Sequence, residues 1–261
     1  MSAGTKRLLI VIDVGNTNTV VGLYRGDDLI DHFRLSTERN RTDDEYGALM
    51  LPLLLRRGIE PGKADAVLIS SVVPTLSDAL ERLSRKFFSC EPVFVVPGIR
   101  TGLVIRNENP SEVGADRIVN AVAALELYGA PVVVVDFGTA TTFDVLNSAG
   151  EYVGGVIAPG ITISAEALFS QASRLYRVDV RKPGRVVGRN TATAMQSGIY
   201  FGAIGLVDGL LDRIKEEMPG IGRVIATGGQ APLIAEGSRH IDEVNPLLTL
   251  VGLKLIDERN R

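Results

Sequence analysis

Two short runs in this chain place a carboxylate, a glycine and several small polar side chains at the end of an apolar segment. In the first, Leu8 to Ile12 runs into Asp13-Val14-Gly15-Asn16-Thr17-Asn18-Thr19, and the apolar pattern resumes at Val20 and Val21. In the second, the valines at 132–135 run into Asp136-Phe137-Gly138-Thr139-Ala140-Thr141-Thr142. Aligning Asp13 with Asp136 also aligns Gly15 with Gly138, Asn18 with Thr141 and Thr19 with Thr142. A glycine at such a turn permits positive φ and close backbone approach, so that successive N–H groups point at an anion. Asn and Thr add neutral donors, and each aspartate supplies hard oxygen for magnesium, directly or through water. Bound ATP with its metal would use all of these features. Two ordinary hairpin turns would use the Gly, Asn and Thr as well, but the repetition at equivalent positions favours the ligand.

A third carboxylate stands apart. In "NPSEVGADRIVNAVAALELY" the residues Val113, Ile118, Val122 and Leu125 recur near helical spacing and predict a helix from about Ser111 to Tyr128. Asp116 and Arg117 lie in its first turns, where an acid commonly does no more than complement the helix dipole. Gly114-Ala115 strips side chains from the neighbouring surface and opens room for a small molecule beside Asp116. "TGG" at 227–229 follows a strand and precedes a helix, a place for a base or ribose to rest on bare backbone. No G-x-x-x-x-G-K-[ST] loop is present. The two histidines, His32 and His240, read as surface or packing residues, and Cys90 has no histidine near it in sequence. Chemistry therefore rests on carboxylates, hydroxyls and backbone.

The elements that must hold these residues repeat as well. Each run reads as strand, tight turn and strand, and the copies lie nearly half a chain apart, which points to two similar domains. In the first half, "RTDDEYGALMLPLLLRRG" predicts a helix opened by a Thr42–Glu45 capping box. A strand at 66–73, a helix around 75–88 and a strand at 92–96 follow. "YGAP" (128–131) marks the boundary, giving domains 1–128 and 129–261. The second half predicts helices near 162–175 and 190–217, a strand at 223–227 and a short helix after the Gly-Gly turn. The class is two-domain α/β with mixed sheets. The formal net charge of −3 leaves no footprint for nucleic acid, and no apolar run approaches a membrane span. The opening MSAGTKR lacks the apolar core of a signal peptide, and the single cysteine forms no internal disulfide; both predict a cytoplasmic protein.

With these motifs in hand the sequence resembles the type III pantothenate kinases, of the actin and sugar-kinase superfamily. The resemblance runs through "DVGNTNTVVGLY", "RTDDEY", "SSVVP", "TGL", "NPSEVGADRIVNA", "VVDFGTATTFDV", "GGVIAPGI", "ATAMQSGIYFG" and "ATGGQA" in order. It implies two ribonuclease-H-like domains, the duplicated actin-like ATPase fold, with a central ATP cleft. It also implies ATP-dependent phosphorylation of the pantothenate 4′-hydroxyl, the first step of coenzyme A synthesis. By the same resemblance Asp13, Val14, Gly15, Asn16, Thr17, Asn18, Thr19 and Val20 form the first phosphate segment, with Asp13 reaching magnesium through water. Thr139, Gly228 and Gly229 contact ATP, and Asp136 holds potassium or ammonium. Gly114, Ala115, Asp116, Arg117, Thr191 and Asn107 contact pantothenate, with Asp116 as general base. Asn107 departs from the pattern, since an aromatic residue is common just before "NP" in the family. A homodimer is implied. The alternatives are a silent or regulatory homologue of the same fold and another kinase or phosphatase of the superfamily.

Overall fold

The structure, a computed structural model, describes residues 6–172 and 175–261, so the end of the helix expected near 162–175 lies partly outside the described residues. The chain forms two compact units. The first comprises residues up to Gly102 with Asn109–Ala123 and Thr249–Arg261, and the second comprises Leu103–Glu108 with Ala124–Leu248.

In the first unit, β1 (Leu8–Val14), β2 (Asn18–Arg25) and β3 (Asp28–Ser36) form an antiparallel meander. β4 (Ala66–Ser71) adds parallel to β1, and β5 (Pro92–Phe94) adds parallel to β4. The sheet order is β3-β2-β1-β4-β5. Strand alternation sends Ile10, Ile12, Val14, Val21 and Leu23 to one face. There they pack with Tyr46, Met50 and Leu54 of α1 (Asp43–Leu55) and with Leu80 and Leu83 of α2 (Ser77–Leu83). The capping box forms as expected: Glu45 N donates to Thr42 Oγ1 at 3.3 Å and Thr42 N to Glu45 Oε2 at 2.8 Å. The other face carries Leu9, Val11 and, at the strand end, Asp13.

That other face explains the division of the chain. A C-terminal helix that the sequence did not lead us to expect, α7 in chain order (Leu248–Arg259), returns to this sheet. Gly22 leaves room between Val11 and Leu250, where a Cβ would stand 2.8 and 3.1 Å from their side chains. Arg7 pairs with Asp257, and Lys254 Nζ donates to Asp27 at 3.0 Å. The helix also rests on α3 (Ala115–Tyr128): Thr249 Oγ1 donates to Asn120 Oδ1 at 2.7 Å, and a Cβ on Gly252 would lie 2.1 Å from Val119 O. By packing, then, the C-terminus belongs to the first unit, and the units are not the continuous 1–128 and 129–261. α3 begins at Ala115 rather than Ser111, because Pro110–Glu112 makes only a 3₁₀ turn.

The second unit repeats the first. β6 (Val132–Phe137), β7 (Ala140–Leu146) and β8 (Tyr152–Pro159) form the meander, and β9 (Arg223–Thr227) and β10 (Glu243–Val244) add in parallel, in the order β10-β9-β6-β7-β8. Strand for strand this is the first sheet again. Val133, Val135, Phe137, Phe143 and Val145 pack against Tyr200, Val207, Leu211 and Ile214 of α5 (Thr191–Glu217), beside α4 (Ile161–Gln171) and α6 (Ala231–Ala235). α5 is long and apolar enough to cross a membrane by composition alone. It instead buries one side on the sheet and holds the buried Asp208 to Ser238 Oγ at 2.6 Å and to Arg239. Residues 103–108 join this unit through a parallel bridge between Ile105 and Tyr152.

The two hairpins differ by one residue. Asp13 pairs with Val20, whereas Asp136 pairs with Thr142. Thr19, opposite Val14, is therefore the counterpart of Thr141, opposite Phe137, and not of Thr142. Constant-offset alignment holds as far as the glycines and slips within the turn.

Candidate functional site

The first turn closes with Gly15 N donating to Asn18 O at 3.0 Å, leaving Asn16, Thr17 and Asn18 exposed. Parity decides what its side chains can reach. Thr19 points into the α1–α2 face and is fully buried, with its Oγ1 2.9 Å from Thr37 Oγ1. Val14 is buried too. Both side chains are buried in the core, so any ligand contact at Val14 and Thr19 would fall to their backbone. Thr37 N donates to Thr17 O at 2.9 Å, so the Thr37 loop braces the turn from behind. Beside the turn lies a polar recess of about 580 Å³, lined by Asn16, Thr37 and the 38–41 loop.

The second turn closes with Gly138 N donating to Ala140 O at 3.0 Å and leaves Thr139 exposed. Gly15 and Gly138 both have ordinary negative φ, against the expectation that they supply a left-handed turn. Two other glycines are forced. Gly160 N donates to Thr139 O at 3.1 Å, and a Cβ on Gly160 would lie 2.2 Å from that oxygen. Gly228 has φ of +90°, and a Cβ there would stand 2.5 Å from Asp136 Oδ1 and 2.6 Å from Phe137 O. The structure thus brings Asp136 and Gly228 together, one expected at a cation and the other at ATP. Gly229, with nothing within 4 Å of such a Cβ, is open. Sequence reading missed Gly160; its signal was "APGI", a glycine directly before a helix.

Asp116 sits at the start of α3, partly buried, and Arg117 N donates to its Oδ1 at 2.8 Å. Gly114 is needed for that pose, since a Cβ there would stand 2.6 Å from the same oxygen. Burial holds the Asp116 carboxyl above the ordinary carboxylate range, outweighing the bond from Arg117 N and the nearby guanidinium. A carboxylate pushed toward neutrality suits proton acceptance. Gly114 to Arg117 lie in the first unit; Asn107 lies in the second, its Oδ1 3.4 Å from where a Cβ on Gly154 would be. Thr191, exposed at the start of α5, lines an apolar cavity of about 840 Å³ between α4 and α5, with Thr141 and Asn190. Asp136, on the opposite face of its sheet, does not line that cavity.

Among the described residues no three His, Cys, Asp or Glu side chains gather to hold a metal. Asp13 and Asp136 are single carboxylates. That fits magnesium, which keeps most of its water and takes its remaining oxygens from phosphate. It fits equally a monovalent cation shared between Asp136 and the Phe137 carbonyl beside Gly228.

Two sheets of one topology, each with an aspartate next to the end of its first strand before a glycine turn, make the duplicated α/β fold shared by actin-like and sugar-kinase proteins. Solved structures share the fold. A Baf family transcriptional activator from Campylobacter jejuni is 21% identical, with 96% of this chain and 98% of that one covered at a TM-score of 0.58. The activator of 2-hydroxyisocaproyl-CoA dehydratase from Clostridium difficile, with bound ADPNP, is 14% identical, with 97% and 95% covered at a TM-score of 0.58. Within that class the sequence is decisive. Residues 9–213 match the type III pantothenate kinase family. The type III pantothenate kinase of Bacillus cytotoxicus is 53% identical over 253 residues, covering 97% of each chain. The chain belongs to the type III pantothenate kinase family, which phosphorylates pantothenate in coenzyme A biosynthesis.

Proposed function

We propose that the Asp13 turn and the Asp136 turn bind ATP phosphates, that Asp116 is the base for the pantothenate 4′-hydroxyl, and that the transfer needs magnesium together with potassium or ammonium. The observation that carries this reading is the repeated aspartate at the end of the first strand in two sheets of identical order. In the first turn Asn16, Thr17 and Asn18 offer exposed donors, with the backbone of Val14, Gly15, Thr19 and Val20 behind them. Thr139 offers the matching donor in the second turn, and the Gly228-Gly229 backbone takes the adenosine side.

Phosphoryl transfer passes through a loose transition state, so the protein's work is positioning and charge neutralisation. Asp116 orients the hydroxyl and accepts its proton late, as the oxygen bonds to the γ-phosphorus and the bond to the β–γ bridging oxygen breaks, releasing ADP. Gly114 and Arg117 N fix the carboxylate for that step. Ala115, Arg117, Thr191 and Asn107 complete the proposed pantothenate contacts. Magnesium held through Asp13, and a monovalent cation held by Asp136, would supply the positive charge that a Walker lysine gives elsewhere. A homodimer in the cytoplasm completes the proposal. The apolar α4–α5 cavity, with Leu168 and Leu206 exposed beside it, supports a second copy there. Asp116→Asn tests the core of the reading. It should bind pantothenate and lose turnover by about 10²-fold or more; near-normal turnover would end the case for Asp116 as base.

A further inference from the structure

The "SSVVP" segment contributes nothing to the phosphoryl transfer proposed above. Within it, Ser71 is engaged locally, where its Oγ accepts from Val73 N at 3.1 Å and shapes the exit from β4. Ser70 has no such partner. It is fully buried, and its hydroxyl makes no hydrogen bond in the protein. A buried hydroxyl left unbonded is costly and calls for an explanation, a bound water or ion among them; of the four such hydroxyls among the described residues, the other three belong to Tyr24, Tyr46 and Tyr200, and Ser70 alone stands beside one of the two aspartates.

The register shows where that group belongs. Ser70 is the parallel partner of Asp13, and alternation places both on the face of the sheet away from α1 and α2, while Val67 and Ile69 face that cluster. Adjacent strands run about 4.8 Å apart, and Ser70 Oγ makes no direct bond to the aspartate in this pose, which leaves a place for one water to bridge them. The second unit repeats the arrangement, for Thr227 is the parallel partner of Asp136 and is also buried. A hydroxyl thus stands beside each aspartate at the same place in both sheets.

We infer that Ser70 is a positioning residue for the nucleotide-bound magnesium: its hydroxyl holds the water through which Asp13 reaches the ion. The inference rests on the reading that Asp13 serves the metal. Ser70 makes no bond in the free protein, so Ser70→Ala should leave the unliganded melting temperature unchanged or slightly raised. It should weaken ADP binding in magnesium by about tenfold, the loss of one hydrogen bond, and leave ADP binding in EDTA unaltered. Ser70→Thr should restore binding in magnesium, since the second sheet already accommodates threonine at this place.

The experiment is a thermal-shift titration of the full chain with ADP, with magnesium or with EDTA, on wild type, Ser70→Ala, Ser70→Thr and Asp13→Asn. Loss confined to magnesium, with rescue by threonine, supports the inference. Equal loss in magnesium and EDTA, or a large fall in unliganded stability, would make Ser70 structural and overturn it. An unaffected Ser70→Ala beside a magnesium-blind Asp13→Asn overturns the inference alone. A normal magnesium response in Asp13→Asn overturns the Asp13 reading and the inference with it.

Discussion

At Asp116 function and stability pull in opposite directions. Burial raises the carboxyl above its ordinary range, so the folded state binds its proton more tightly than the unfolded chain does. The sign follows directly. Below about pH 4, the unfolded carboxylate value, both states are protonated and the group is neutral toward stability. As pH rises through the raised folded value, the carboxylate must be charged inside the protein, and stability is lost. Asp116→Asn removes that cost while keeping an oxygen for Arg117 N, so it should melt above wild type at pH 7 to 8. The difference should shrink to nothing as pH falls below 4. A variant that melts lower at neutral pH would show that Asp116 holds the helix start rather than waiting for substrate. The same shift places the acid limb of the wild-type pH–rate profile above the ordinary aspartate range, because the base works only when charged. Asp116 and its glycine were legible in the sequence as a carboxylate with space beside it. The contact between Gly114 and Oδ1 was not, since it depends on the side-chain pose at the first turn of α3.

At the scale of elements, the repeated strand and turn could be read from alternating apolar residues and the Asp-x-Gly pair, but the inner geometry of the turns could not. Whether Thr19 faces ligand or core depends on how many residues close the hairpin, and one residue more or less reverses every side chain beyond it. Similar letters, Asn-Thr-Asn-Thr and Thr-Ala-Thr-Thr, hide that difference. Glycine was equally ambiguous. Gly15 and Gly138 looked like the forced positions, whereas the backbone forces Gly228, which approaches Asp136 from the neighbouring strand β9. Sequence separation conceals such a contact. A paired substitution tests it. Gly228→Ala should cost about 1–3 kcal/mol through its positive φ and, by pushing the Asp136 carboxylate aside, should also abolish the response to monovalent cations. Gly229→Ala meets nothing within 4 Å and should melt within a degree or two of wild type. Equal effects from the two, measured by thermal melts and potassium titration, would remove Gly228 from the support of Asp136.

Over the whole molecule, the duplication was legible because its period is half the chain, while the return of α7 to the first sheet was not. Its residues carry no motif, and only the packed partners, Leu250 on Gly22 and Asp257 on Arg7, show where it belongs. The charge balance is a property at this same scale. The chain has a net charge of −3 and no Walker lysine, yet its substrate brings several negative charges to turns built from neutral donors and aspartates, with Arg39 and Arg41 in the recess beside the first. In the reading proposed above, bound cations would supply much of the neutralisation, with a different carboxylate in each sheet for them. If Asp136 holds potassium, turnover should be high in potassium or ammonium and low in sodium or lithium at equal ionic strength. A large, easily dehydrated ion can share a carboxylate, backbone carbonyls and a phosphate oxygen, where a small ion keeps its water. The carbonyl of Phe137, beside Gly228 and Asp136, would then be one of those ligands. Asp136→Ala should then flatten the potassium titration as well as lower the rate, and added magnesium should not restore it. The competing account gives Asp136 the same role as Asp13. It requires a wild-type enzyme indifferent to potassium and a mutant partly rescued by excess magnesium, so steady-state rates across the two titrations decide between one kind of cation in this fold and two.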